Sequence, residues 1–197
     1  GALQSFNNTT PYNSFKMLFP TVRDGENSNS MQFADVLFYS DTAGTAPLNG
    51  NITPTAVLAF DQDLTPASNS SYPEGESPPN AIDNDVDTKY LNFGGPSSGF
   101  IVTPAIGGAA FDTVRFTSAN DAAGRNPSTF ELYGTNDPIT SADNSAGDAE
   151  NWTLIDTGNT GLDENTAAFT QGPSVNITNP TAYSSYRLLF PDLSGEA

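Results

Sequence analysis

The chain has 197 residues, enough for one domain of ordinary size, with 23 acidic residues against 6 basic ones and a net charge of −17. Such a surface repels phosphate, which argues against nucleic acid and anionic membranes as partners. Cysteine and histidine are both absent. That excludes disulfides, thiolate metal sites and the commonest general base, and leaves oxygen ligands that suit calcium or magnesium.

In chain order, short apolar and aromatic runs alternate with Gly, Pro, Asn and Asp clusters, the pattern of an all-β antiparallel sandwich or barrel. The runs predict strands over 14–19, 31–39, 55–60, 99–103, 112–117, 129–134, 151–156, 166–170 and 184–190. Residues 41–53 and 61–80 read as loops, and 135–150 as a long, solvated acidic loop. Trp152, Tyr90 and Phe93 read as core. No run approaches the roughly 18 apolar residues of a membrane span, and no signal peptide is visible. Asn-x-Ser/Thr sequons stand at Asn7, Asn8, Asn51, Asn69, Asn151 and Asn176; they matter only in a source that glycosylates.

An internal repeat sets the domain organisation. TPYNSFKMLFP (10–20) aligns with TAYSSYRLLFP (181–191): Tyr12 with Tyr183, Lys16 with Arg187, Leu18 with Leu189 and Pro20 with Pro191. The first copy continues into MQFADVLFY (31–39), whereas the second ends in DLSGEA. Residues 1–43 thus read as the tail of a preceding module and 44–197 as a second module short of its last strand. Strand 31–39, from the same or a neighbouring chain, is expected to fill that gap, because an open sheet edge would leave backbone groups unpaired. Head-to-tail self-association follows if the donor is a neighbour.

The stretch NAIDNDVDTKYLNF (80–93) carries Asp83, Asp85 and Asp87 at alternate positions. It is not an EF-hand: Thr88 stands where that loop needs Gly, and Gly94 where it needs Glu. The bland alternative is an Asp/Asn-rich turn whose side chains bond their own backbone. Residues 61–63 (DQD) could assist a second cation or form a plain turn. Arg125 reads as a loop staple to Asp121 or as a sugar contact, and Arg115 as an ordinary strand residue. No nucleophile elbow, P-loop or zinc motif appears, and the best acidic cluster sits in a loop, so the chain reads as noncatalytic.

The same stretch resembles the signature loop of discoidin-like domains, also called coagulation factor 5/8 type C or family 32 carbohydrate-binding modules. Ala81, Ile82, Asp83, Asn84, Asp85, Thr88 and Tyr90 carry that resemblance. Asn84 replaces the usual Gly, and Asn tolerates positive φ better than other side chains. TSANDAAGRNPSTFELYGTND (117–137), ENWTLIDTG (150–158), YSSYRLLFP (183–191) and MQFADVLFY (31–39) extend it along the chain. The resemblance implies a jelly-roll, galactose-binding-like sandwich holding a structural calcium. Its implied ligands are Asn80, Asp83, Asp85 and Thr88 from the loop, with Ala34 and Asp35 from the last strand; Asp35 is one methylene shorter than the usual Glu. It further implies a secreted or cell-surface module that binds a glycan or cell-surface polysaccharide. The candidate binding loops are 61–79, 94–98, 118–127 and 135–150, and Tyr72, Arg125 and Phe6 are the candidate contacts. The alternative role is a structural or adhesive tandem repeat or filament subunit, which the internal repeat favours.

Overall fold

The computed structural model describes residues 14–18, 30–39, 45, 54–61, 71–104, 111–178 and 181–195. Phe6, residues 62–63 and most of the first repeat copy lie outside them. Eleven strands run in chain order: β1 Ser14–Leu18, β2 Met31–Phe33, β3 Asp35–Tyr39, β4 Pro54–Asp61, β5 Tyr90–Asn92, β6 Ser98–Pro104, β7 Thr113–Thr117, β8 Thr129–Thr135, β9 Thr153–Asn159, β10 Val175–Asn176 and β11 Ser184–Phe190. Short 3₁₀ turns at Pro78–Ala81 and Ala123–Arg125 are the helical elements among the described residues. The fold is all-β.

The strands form a six-stranded sheet, β4–β6–β1–β11–β8–β9, a three-stranded sheet, β10–β7–β3, and a β2–β5 ribbon. Their inward faces alternate as the sequence requires. Phe100 and Val102 of β6, Phe130 and Leu132 of β8, and Tyr186, Leu188 and Phe190 of β11 share one buried cluster with Val36 of β3 and Val114 and Phe116 of β7. Each such side chain contributes about 1.5–3 kcal/mol on burial. Phe33 from β2 sits at its aromatic centre, with ring centroids 4.9 Å from Phe190, 5.8 Å from Tyr90 and 6.0 Å from Phe100.

Residues 31–39 close the sandwich within this one chain. Ala34 interrupts them: its N–H donates to the Thr117 carbonyl at 2.8 Å. β2 thereby pairs with β5, and β3 turns onto β7 with Asp35 opposite Thr117.

The two repeat copies lie side by side in the large sheet. β11 runs along β8 from Ser185 opposite Thr135 to Leu189 opposite Glu131, and touches β6 at Phe190 opposite Ser98. β1 pairs antiparallel with β6 and places Leu18 opposite that same Glu131. It lies parallel to β11, with Lys16 beside Arg187 and Leu18 beside Leu189, the alignment of the sequence repeat. β11 is the anchored copy, since Tyr186, Leu188, Phe190 and the following Leu193 are all fully buried.

Three expectations need correction. Residues 166–170 form no strand: the Ser118 hydroxyl donates to the Ala167 carbonyl at 2.6 Å and accepts from the Thr170 N–H, which fixes them as a loop. The short β10 further along takes the place on β7. Phe93 is half-exposed, because the chain turns outward at Gly94–Gly95. Residues 135–150 are not merely solvated. They pack on the outer face of the six-stranded sheet, where Trp152 joins a second cluster around Phe60, Ile101 and Leu189.

Arg187 explains that packing. Its guanidinium is buried, 4.6 Å from the Phe60 ring centroid and flanked by Tyr133 and Trp152. It donates to the Gly147 carbonyl at 2.6 Å, and Trp152 Nε1 donates to that same oxygen at 2.9 Å. Burial pushes Arg187 down to about 9, which still leaves it charged at neutral pH. Glu150 pins the other end of the loop. It accepts from the N–H and hydroxyl of both Thr140 and Ser141 at 2.6–3.1 Å. Burial raises its pKa, but those four donors outweigh burial and bring it below the ordinary value. Glu150→Ala should therefore cost about 2–3 kcal/mol in urea unfolding and red-shift Trp152 fluorescence; a loss near zero would show that the loop is not held through this carboxylate.

Candidate metal centre

The loop after the first 3₁₀ turn is built from its own aspartates. Asp83 Oδ1 accepts the Asp85 N–H at 2.9 Å, and Asp83 Oδ2 accepts the Thr88 hydroxyl at 2.7 Å. Asp85 Oδ1 accepts the Asp87 N–H at 3.0 Å, while the Asp85 carbonyl accepts from the N–H and hydroxyl of Thr88. The Asn80 side-chain amide donates to the carbonyls of Gly75 and Lys89, both at 3.0 Å, and closes the neck of the loop. Asn84 adopts φ 61°, a left-handed conformation that Asn tolerates better than most side chains.

Strand β3 brings the decisive group. Asp35 follows Ala34, and both are buried, Asp35 at 1 % exposure. Its carboxylate accepts backbone N–H groups of Val36 and Asn84, so the last strand and the loop meet there. Its Oδ1 has no hydrogen-bond partner. Burial, reinforced by the negative charges of Asp83 and Asp85, pushes Asp35 from the ordinary 3.8 to about 8.

An orphaned buried carboxylate oxygen facing two more aspartates is a strong acceptor site with no donor, the condition a divalent cation relieves. The donor set fits calcium: hard oxygen throughout, three carboxylates, and backbone carbonyls alongside. Asp83, Asp85, Thr88, Asn80, Ala34 and Asp35 are thus gathered in one region. Among the described residues no three acidic side chains stand close enough to hold an ion as they are, because Asp83 and Asp85 are spent on turns of the loop itself. Asp87 is exposed and its carboxylate takes no part in those turns.

The candidate sugar contacts do not converge. Tyr72 donates its hydroxyl to Asp143 at 2.8 Å and packs against the main core. Arg125 lies in the second 3₁₀ turn and only adds its field at Asp121. The partner of Asp121 is Lys89, at 2.8 Å, with Glu76 on the far side of the lysine at 3.4 Å. Phe6 lies outside the described residues. Asp61 of DQD is fully buried, and its two successors are not described. Reading by residue type passed over the segment 161–174, where polar side chains do converge; the alternation of Thr and Ala in TAAFT masked it as a strand.

The Asp35 shift has a signed consequence. In the unfolded chain Asp35 ionises near 3.8, and in the folded chain only near 8. The folded state therefore holds the extra proton between those values, and this group's contribution to stability falls as pH rises from about 4 to about 8. Melting curves in chelator across pH 4–9 should show Asp35→Asn gaining on the parent chain steadily through that window; parallel pH profiles would contradict the placement of Asp35. Compared with known proteins, the chain matches no family model, no curated protein and no solved structure.

Proposed function

We propose that this chain is a noncatalytic, calcium-stabilised extracellular module of the discoidin-like kind whose role is glycan binding. The observation that carries the calcium reading is the buried Asp35 Oδ1, unbonded and set against Asp83 and Asp85. A bound ion supplies the missing positive charge and ties β3 to the loop. Asp35, Asp83, Asp85 and Thr88 would hold it, with the carbonyls of Asn80 and Ala34. Strand β3 closes the core, so the ion acts on the stability of the fold and not on a reaction. Extracellular calcium levels suit a site of this modest charge and flexible loop. The net charge of −17 favours a neutral partner over an anionic one.

At a hundredfold excess over Kd, an ion that binds only the folded chain adds about 2.7 kcal/mol, or roughly 5–10 °C of melting temperature. Calorimetry in calcium and in chelator should show that difference, and Asp83→Ala should abolish most of it. An equal melting temperature in both would refute the site.

A structural or adhesive repeat is the second reading, and one observation favours it. β1 and β11 run side by side in the six-stranded sheet, with Leu18 and Leu189 both registered opposite Glu131. Strands this alike can be exchanged for the corresponding strands of a neighbouring chain. Light scattering over a wide concentration range should then show association that deletion of residues 1–29 removes while β2 and β3 stay in place. An intact chain that stays monomeric at high concentration rules this reading out.

A further inference from the structure

The loop that joins β9 to β10 crosses the outer face of β7 and encloses an open groove of about 660 Å³, within the range of small-molecule sites. Its lining includes Arg115, Asp163, Asn165, Thr170, Gln171 and Ser174. Arg115 projects from β7 between the inward-facing Val114 and Phe116. Its Nε donates to the Gly172 carbonyl at 3.2 Å, which fixes the guanidinium at the groove wall. Its terminal nitrogens carry no protein hydrogen bond among the described residues, nor do the side-chain amides of Asn165 and Gln171. Asp163 Oδ1 accepts from the Asn165 N–H and the Thr166 hydroxyl, leaving its second oxygen open.

The wall is held rigidly. Gly172 N–H donates to the Phe116 carbonyl at 2.7 Å, Gln171 bridges to Thr117, and Ser118 clamps Ala167 and Thr170. Leu162 is buried at its base. Gly161 sits at φ 81°, and a Cβ there would come within 2.3 Å of Pro173 Cγ. Phe169, which precedes the lining residue Thr170, holds φ 57°, a conformation that bulky side chains avoid. Such strain persists only where surrounding contacts impose it.

The chemistry selects the ligand class. One guanidinium in a chain of charge −17 is too little to draw a phosphate or sulfate ester. The lining offers no apolar pocket for a peptide side chain. It offers donors and acceptors side by side (guanidinium, carboxylate and two primary amides), the set that adjacent hydroxyls of a sugar ring satisfy. We infer that the groove over β7 is a binding site for a neutral saccharide, with Arg115, Asp163, Asn165 and Gln171 bonding its hydroxyls. This rests on the glycan-binding reading above and places the contact away from the calcium loop.

The intact chain, in calcium, is applied to an array carrying neutral oligosaccharides and their sulfated and uronate counterparts, and the strongest neutral sugar is then titrated by calorimetry. Gln171→Ala and Asn165→Ala, both exposed, should each weaken binding at least tenfold with an unchanged melting temperature. Arg115→Ala should do the same, and Arg115→Lys should not restore it. Sugar binding that survives all of these variants refutes the groove and leaves glycan binding standing. Binding to none of the oligosaccharides refutes both, and binding confined to the charged ones refutes the neutral class.

Discussion

The arrangement hangs on one carboxylate that the fold buries without satisfying. Asp35 opens β3, and Val36 beside it and Phe33 at the end of β2 are fully inside. To seat them, the chain must bring Asp35 against the negatively charged loop at Asp83 and Asp85. Apolar burial and charge repulsion therefore act on the same strand in opposite directions. Holding a proton on Asp35 relieves that conflict. Under the calcium proposal an ion would relieve it instead, with Asp35 Oδ1, which has no hydrogen-bond partner, as one of the oxygens it would take.

The two faces of the large sheet do different work. The inner face is aromatic and apolar, joined through Phe190 to Phe116 of the three-stranded sheet and through Phe100 and Phe190 to Phe33 of the ribbon. The outer face carries Arg187 under the acidic loop, where stacking on Phe60 and the bond to Gly147 hold a charge that would otherwise be costly to bury. The equivalent position in the first repeat copy is Lys16, which registers beside Arg187.

Much of this was legible in the residues. Alternation of apolar and polar positions located β4, β6, β7, β8 and β11 to within about two residues, because one face of each must be buried. The alignment of the repeat reappears in the register of β1 beside β11. Other features were hidden for physical reasons. Thr166–Thr170 has a strand-like composition, but its hydrogen bonds go to Ser118 and not to a ladder. Val175–Asn176 is too short to stand out from its polar flanks. Phe93 looked like core by type, yet the glycines after it turn it out. The burial of both faces of β11 depends on a loop some forty residues away, which no local pattern encodes. The groove over β7 was likewise invisible, since its polar lining comes from a strand and a loop far apart in sequence.

The most direct test of the calcium account is the proton balance of metal binding. Calcium is titrated into chelator-treated protein at pH 7, in two buffers of different ionisation enthalpy. If Asp35 is protonated in the free fold and becomes a ligand, one ion should bind per chain with release of about one proton, and Asp35→Asn should abolish that release. Binding with no proton release, or no binding at all, would contradict the account.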